Sequence, residues 1–311
     1  MLTDAVARLL VLPLTLIGRL PWSWLRGIGD AIGSLWLRLD VRESRVAQRN
    51  LELAYPDLQP AQRRGLQAAI LRTTARQTLE TLAFWTRPHA RNLALIREHH
   101  GTPLLDAAIA AGHGVIIAAP HYGNWELLNQ WLAARTSLAI LYRPPESAIG
   151  EAVLRRVRRD GDRVTQIRAE AAGIRRLFKL LRAGGVVGIL PDQQHKAGDG
   201  EFAPFFGTDA LTMTLLNRLA ERSGAVVLFG YCERIGNGPD GAQPAFALHL
   251  EQAPSAIAAA DPPAAAATLN AEVERIARRD PAQYQWTYKR YSLRPPGSGE
   301  YNPYRDVGLA R

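Results

Sequence analysis

"GVIIAAPHYGNWELLNQWLAA", residues 114–134, decides how the rest of the chain is read. Its first six residues (114–119) are small or β-branched, the pattern of a short strand buried on both faces. The last eleven (124–134) have a helix pattern, with Asn124 placed to cap it. Between them Pro120 ends the strand, His121 follows, and Gly123 permits a tight turn. In an open α/β sheet, ligands bind beyond the carboxyl ends of the strands, so His121 stands where chemistry is usually done. Glu126 falls in the first helical turn, where the helix dipole favours an ionised carboxylate.

A carboxylate bonded to one imidazole nitrogen fixes the tautomer and leaves the other nitrogen free to take a proton. Such a base with its orienter activates a weak hydroxyl nucleophile, and the base is worth ~10²–10⁴ in rate. The free N–H groups of the same helix could meet a developing oxyanion. By itself, a histidine five positions before a glutamate equally describes a loop histidine beside a helix-start acid.

Outward from this stretch, strands and helices alternate. "SLAILY" (137–142), "RVTQI" (163–167), "GVVGIL" (185–190), "AVVLFGYCE" and "AFALHL" read as strands. "TPLLDAAIAAG", "ESAIGEAVLRRVRR", "AAGIRRLFKLLRAG" and "LTMTLLNRLAERSG" (211–224) read as helices. This predicts an α/β fold with a mostly parallel central sheet flanked by helices. Residues 1–95 read as helical throughout. "APSAIAAADPPAAAATLNAEVERIARRD" begins as a low-complexity linker and becomes a helix. The expected organisation is an amphipathic membrane-anchoring segment (1–40), a helical region packed on the core (41–99), an α/β core (100–292) and an irregular tail (293–311).

Composition sets outer limits. With 311 residues and 47% hydrophobic content, the chain can bury a sizeable core and is not of the disordered class. Cys232 is the only cysteine, so no intrachain disulfide can form and a four-cysteine metal site is excluded. The net charge of +9 points to an acidic partner. Residues 151–182 alone hold ten Lys and Arg against four acids, either a solvated helix face or a docking surface.

"LLVLPLTLIG" (9–18) stops at Arg19, short of the ~20 apolar residues a spanning helix needs. Arg8, Arg19, Arg26 and Arg38 alternate with leucine clusters, and Trp22, Trp24 and Trp36 suit headgroup depth. The segment reads as an interfacial anchor, with an amphipathic helix packed on the core as the alternative.

"PHYGNWE" (120–126) is similar to the His-(four residues)-acid motif of the lysophospholipid acyltransferase superfamily. The whole chain more closely resembles the late acyltransferases of lipid A biosynthesis, the lauroyl and myristoyl transferases. Carrying this are "QRNLELAYPDL" (48–58), "LYRPP" (141–145), "LRRVRRDGD" (154–162), "GILPDQQ" (188–194), "FAPFFGTDALTMT" (202–214) and "QYQWTYKRY" (283–291), in order. The resemblance implies His121 as general base oriented by Glu126, with Arg143, Arg158 and Asp192 binding substrate. It implies an acyl thioester on acyl carrier protein as donor and a hydroxyl of a lipid A precursor as acceptor. It also implies the cytoplasmic face of the bacterial inner membrane, with no cofactor, metal or nucleic acid. The family often has a second acid after its Asp-Gln; here Gln194 stands there. "FAPFFG" either lines an acyl groove or is core.

Other readings are weaker. "GIGDAIG" (27–33) mimics part of a dinucleotide fingerprint but follows no strand. His99, His100 and His113 lack metal-ligand spacing, and no Gly-x-Ser-x-Gly elbow occurs. The rivals are an acyltransferase acting on a lysophospholipid or an amino-acid lipid, and a non-catalytic basic protein that binds membranes or nucleic acid.

Overall fold

A computed structural model of the chain describes residues 2–144, 147–157, 163–194, 196, 198–238 and 241–308, with backbone alone described for 2–8. Five helices come first: α1 (Leu2–Gly18), α2 (Trp22–Arg38), α3 (Arg42–Ala54), α4 (Pro60–Thr86) and α5 (His89–Leu93). The α/β part follows as β1 (Ile96–His100), α6 (Thr102–Ala110), β2 (Val115–Ala118), α7 (Trp125–Arg135), β3 (Leu138–Tyr142), α8 (Ala148–Val157), β4 (Val164–Arg168), α9 (Ala171–Arg182) and β5 (Val186–Ile189). A hairpin of β6 (Gly200–Phe205) and β7 (Thr208–Met213) precedes α10 (Leu215–Ser223), β8 (Val226–Asn237), β9 (Pro244–Gln252) and α11 (Pro262–Ala277).

Seven strands form one sheet in the order β1-β9-β8-β2-β5-β3-β4. Within this sheet, among the described residues, only the β8–β9 pair is antiparallel. β2 lies between β5 and β8, and its side chains alternate between two cores. Val115 and Ile117 join Leu127, Leu128, Trp131 and Leu132 of α7 on one face. Ile116 and Ala118 join residues of α9, α10 and α11 on the other. All four β2 residues are buried, and each buried Val or Ile contributes ~1.5–3 kcal/mol. The expected sheet flanked by helices is therefore present, as three layers.

The glycines of "GIGDAIG" have a packing cause. Leu25, Gly29 and Gly33 are the buried residues of α2, and they face α4. A Cβ on Gly29 would stand 2.9 Å from the Arg76 Cα, and one on Gly33 2.5 Å from the Arg72 Cα and N. Their absence of side chains lets two helix backbones approach closely. The other side of these helices stays open: Leu9, Leu12 and Leu16 of α1 and Trp24, Ile28 and Leu35 of α2 are exposed. Among the described residues, no helix is long and apolar enough to cross a membrane.

Two local expectations are corrected. Residues 96–99, expected at the end of the helical region, form with His100 an edge strand paired with β9. Residues 211–213, expected in a helix, belong to β7, and α10 begins only at Leu215. The β6–β7 turn has positive φ at both Phe206 (49°) and Gly207 (74°), the geometry of the turn type that matches strand twist. Phe206 is held in it by burial against Trp286 and Tyr55 and by donating its N–H to Glu274 Oε2 at 2.6 Å.

Candidate active site

β2 and β5 run parallel and in register, with Ala118 opposite Ile189. Each then enters a short loop through a proline, Pro120 or Pro191, which supplies no N–H to continue the ladder. The last ladder bond runs from Ala119 N–H to the Ile189 carbonyl at 2.9 Å. One residue beyond each proline stand His121 and Asp192.

The Asp192 carboxylate clasps His121 with both oxygens. Oδ1 lies 2.7 Å from the imidazole Nδ1, and Oδ2 accepts the His121 backbone N–H at 2.8 Å. The Asp192 side chain is only 2% exposed and that of His121 11%, so the carboxylate is sealed while the ring can be reached. Burial pushes the Asp192 carboxyl up, but the His121 charge and the two hydrogen bonds outweigh it and leave the group below its ordinary value. An ionised Asp192 places the proton on Nδ1 and makes Nε2 the acceptor. Nε2 lies 3.1 Å from the Gln193 amide nitrogen, which is 3.3 Å from Gln285 Oε1.

Neighbouring elements fix this loop. Gln285 N–H donates to the His121 carbonyl at 3.0 Å, and Tyr122 donates its hydroxyl to Glu233 at 2.7 Å. Gly123 has φ +59°, and a Cβ there would fall 2.0 Å from the Cys232 carbonyl oxygen, so the turn admits only glycine. Asn124 caps α7 as expected, accepting the Leu127 N–H at 3.2 Å. The Trp125 ring meets the imidazole edge-on at 5.1 Å between centroids.

The sequence reading set Glu126 on the imidazole. Here Asp192 and Gln193 take the two ring nitrogens. Glu126 does lie in the first turn of α7 and is buried, but it lines another cavity, with Trp85, His89 and Asn129. The cavity at His121 is walled by Phe205, Tyr284, Trp286, Tyr288 and Tyr291. "FAPFFG" thus contributes Phe205 to a cavity wall and buried Phe206 to the core.

Arg143 is exposed just past β3, the neighbour of β5, near enough for its charge to act on the Tyr288 phenol. Arg158 lies outside the described residues. Gln194, where the family often has an acid, accepts the Leu293 N–H on its side-chain oxygen at 2.9 Å; a neutral amide suits that contact. Sequence reasoning did not single out Gln193, Gln285 or Asn50. Asn50 of α3 donates its amide to the Trp286 and Tyr288 carbonyls at 2.6 and 2.8 Å, holding the 284–288 loop against the site. The "GILPDQQ", "QYQWTYKRY" and "QRNLELAYPDL" blocks contain all three.

A buried carboxylate aiming an imidazole at the carboxyl edge of a parallel sheet is the equipment of an α/β enzyme that takes a proton from a nucleophile. Known proteins make the class particular. The family model for bacterial lipid A biosynthesis acyltransferases matches residues 1–292. The lipid A biosynthesis lauroyltransferase of Escherichia coli (strain K12) is 26% identical over 285 residues, 91% of this chain and 90% of the relative. The lipid A biosynthesis palmitoleoyltransferase of the same organism is 27% identical over 283 residues, covering 90% and 88%. The phosphatidylinositol mannoside acyltransferase of Mycobacterium tuberculosis (strain CDC 1551 / Oshkosh) is 30% identical over 178 residues, 56% of each chain. The chain belongs to the bacterial lipid A biosynthesis acyltransferase family and is an acyltransferase.

Proposed function

We propose that the protein transfers a fatty acyl chain from an acyl thioester on acyl carrier protein to a hydroxyl of a lipid A precursor, at the cytoplasmic face of the bacterial inner membrane. The observation that carries the mechanism is the 2.7 Å contact between His121 Nδ1 and Asp192 Oδ1. The acceptor hydroxyl takes the place of the Gln193 amide at His121 Nε2. Its oxygen attacks the thioester carbonyl carbon while its proton passes to Nε2, and Asp192 stabilises the imidazolium. The tetrahedral intermediate then expels the carrier thiolate, which recovers the proton from His121. No covalent enzyme intermediate is needed.

In this reading the orienting role moves from Glu126 to Asp192. Glu126 serves as a buried carboxylate at the positive end of α7, next to the loop that presents the base. Arg143, and Arg158 by the family resemblance, contact substrate phosphate. The basic 151–182 segment steers the acidic carrier.

The likeness to a phosphatidylinositol mannoside acyltransferase favours, as a second reading, transfer to another glycolipid. Mass spectrometry of lipid A from cells with and without the chain separates the two. Expected is one added acyl mass that depends on His121; unchanged lipid A overturns the first reading.

A further inference from the structure

A cationic groove lies where α1, α2, α4 and α5 meet, with about 1390 Å³ of empty space against about 270 Å³ at His121. Its lining residues are not shared with the cavity at His121. Arg19, just past α1, and Arg91 on α5 line it, together with Trp22, which opens α2, and Arg87, just past α4. No acid is among the lining residues described.

The Arg87 guanidinium is fixed by neutral groups. Nε donates to the Gly18 carbonyl at 2.7 Å, Nη2 to the Leu20 carbonyl at 2.5 Å, and the group lies 3.9 Å above the Trp22 ring. Burial and the neighbouring Arg91 charge hold its pKa below the usual value, so the two cations are close enough to repel. Arg19 and Arg91 are exposed and form no hydrogen bond or ion pair through their side chains with a described residue. Cations gathered without a counter-charge are stabilised by a bound anion, and arginines suit the planar geometry of phosphate oxygens.

The surroundings select which anion. Leu9, Leu12 and Leu16 recur at helical spacing on α1, as do Trp24, Ile28 and Leu35 on α2, and all six are exposed. The α1 series ends at Leu16, three residues before Arg19. Two open apolar stripes with a cationic groove at their end match the depth order of a bilayer, hydrocarbon first and phosphate next. We propose that this groove binds the phosphate of an anionic phospholipid headgroup while the α1 and α2 stripes rest in the bilayer. The proposal rests on the reading that the enzyme works at a membrane surface. It adds a defined lipid site, apart from the acyl-transfer site, that sets the docked orientation.

The test is flotation of the full chain with phosphatidylcholine vesicles and with vesicles enriched in phosphatidylglycerol. Four proteins are compared: wild type, R19Q/R91Q, the charge-matched control R175Q/R176Q on exposed α9, and L12S/L16S. Expected is a preference of wild type for the anionic vesicles that falls about five-fold per arginine removed in R19Q/R91Q and stays larger in the α9 control. Equal losses in both arginine pairs would reduce the effect to net charge and overturn the site. A preference abolished by millimolar inorganic phosphate, with no vesicle binding lost in R19Q/R91Q, would assign the groove to free phosphate and overturn the lipid. L12S/L16S tests the underlying reading separately: unchanged binding to both vesicles would remove α1 from the bilayer. Far-ultraviolet circular dichroism and melting of each variant identify any that fail to fold.

Discussion

His121 and Asp192 are equivalent residues of two neighbouring strands. Each lies three positions beyond a register-paired strand end, Ala118 and Ile189, and each follows a proline. Parallel pairing therefore delivers base and carboxylate to the same height above the sheet, with no long side chain needed to bridge them. This is why the carboxylate can bond both the ring and the backbone of one histidine.

Breaking that contact should damage chemistry more than binding. D192N retains size and one acceptor but loses the charge that steadies the imidazolium. We expect D192N to lower kcat by ~10²–10⁴ with KM changed little, and H121A to lose at least as much. The two residues act as one unit, so H121A/D192N should be no slower than H121A alone. Steady-state assay with an acyl carrier thioester decides this; additive losses in the double variant would separate the pair.

The 114–134 stretch was legible because both signals in it are local. β2 is apolar on both faces, and Asn124 caps α7 through a bond three residues away. The His121–Asp192 pair spans 71 positions, and the register of two parallel strands leaves no mark in either segment. Glu126 drew the expectation because it is near in sequence; β5 brings Asp192 nearer in space. Edge strand β1 was missed because four of its five residues are exposed, so no alternation marks it. The β6–β7 hairpin was missed because turns of this kind ordinarily hold Asn-Gly or a similar pair. Phe206 occupies the position through tertiary packing instead.

Asn50 should prove to be a brace for the active-site loop. It is buried, and besides its two donated bonds it accepts the Tyr304 hydroxyl at 2.5 Å. N50A strands two carbonyls and a hydroxyl, at ~1–3 kcal/mol for a buried polar group left unpaired. We expect urea unfolding to show a loss of about 2 kcal/mol or more, with a smaller loss for Y304F. Activity of N50A should fall too, since Gln285 on the loop holds the His121 carbonyl.

The close crossing of α2 on α4 predicts a contrast between two glycines on one helix. Alanine in a helix interior is favoured over glycine by ~1 kcal/mol. At Gly27 nothing lies within 4 Å of an added Cβ, so G27A should stabilise by up to about that amount. At Gly33 the methyl would meet the Arg72 backbone at 2.5 Å, and overpacking costs ~1–3 kcal/mol. Chemical denaturation should therefore move in opposite directions for the two variants. Equal stabilisation would mean that α2 does not pack on α4 this closely.

Acid should loosen the His121 loop through Glu233. Burial opposes its charged form, but the His249 ring 3.5 Å away and hydrogen bonds from Arg279 and Tyr122 outweigh burial and bring its pKa from 4.5 down to about 2. A carboxylate held below its unfolded value adds stability that is fully present above pH 4.5 and disappears as pH falls toward 2. Protonation weakens the bonds with Arg279 and with Tyr122, the residue next to His121. We expect the melting temperature of the wild type to drop between pH 5 and pH 3, as roughly follows from a titration in that window. E233Q should be less stable at neutral pH and show a shallower drop. Parallel melting curves for the two proteins across that range would mean that another carboxylate governs acid unfolding.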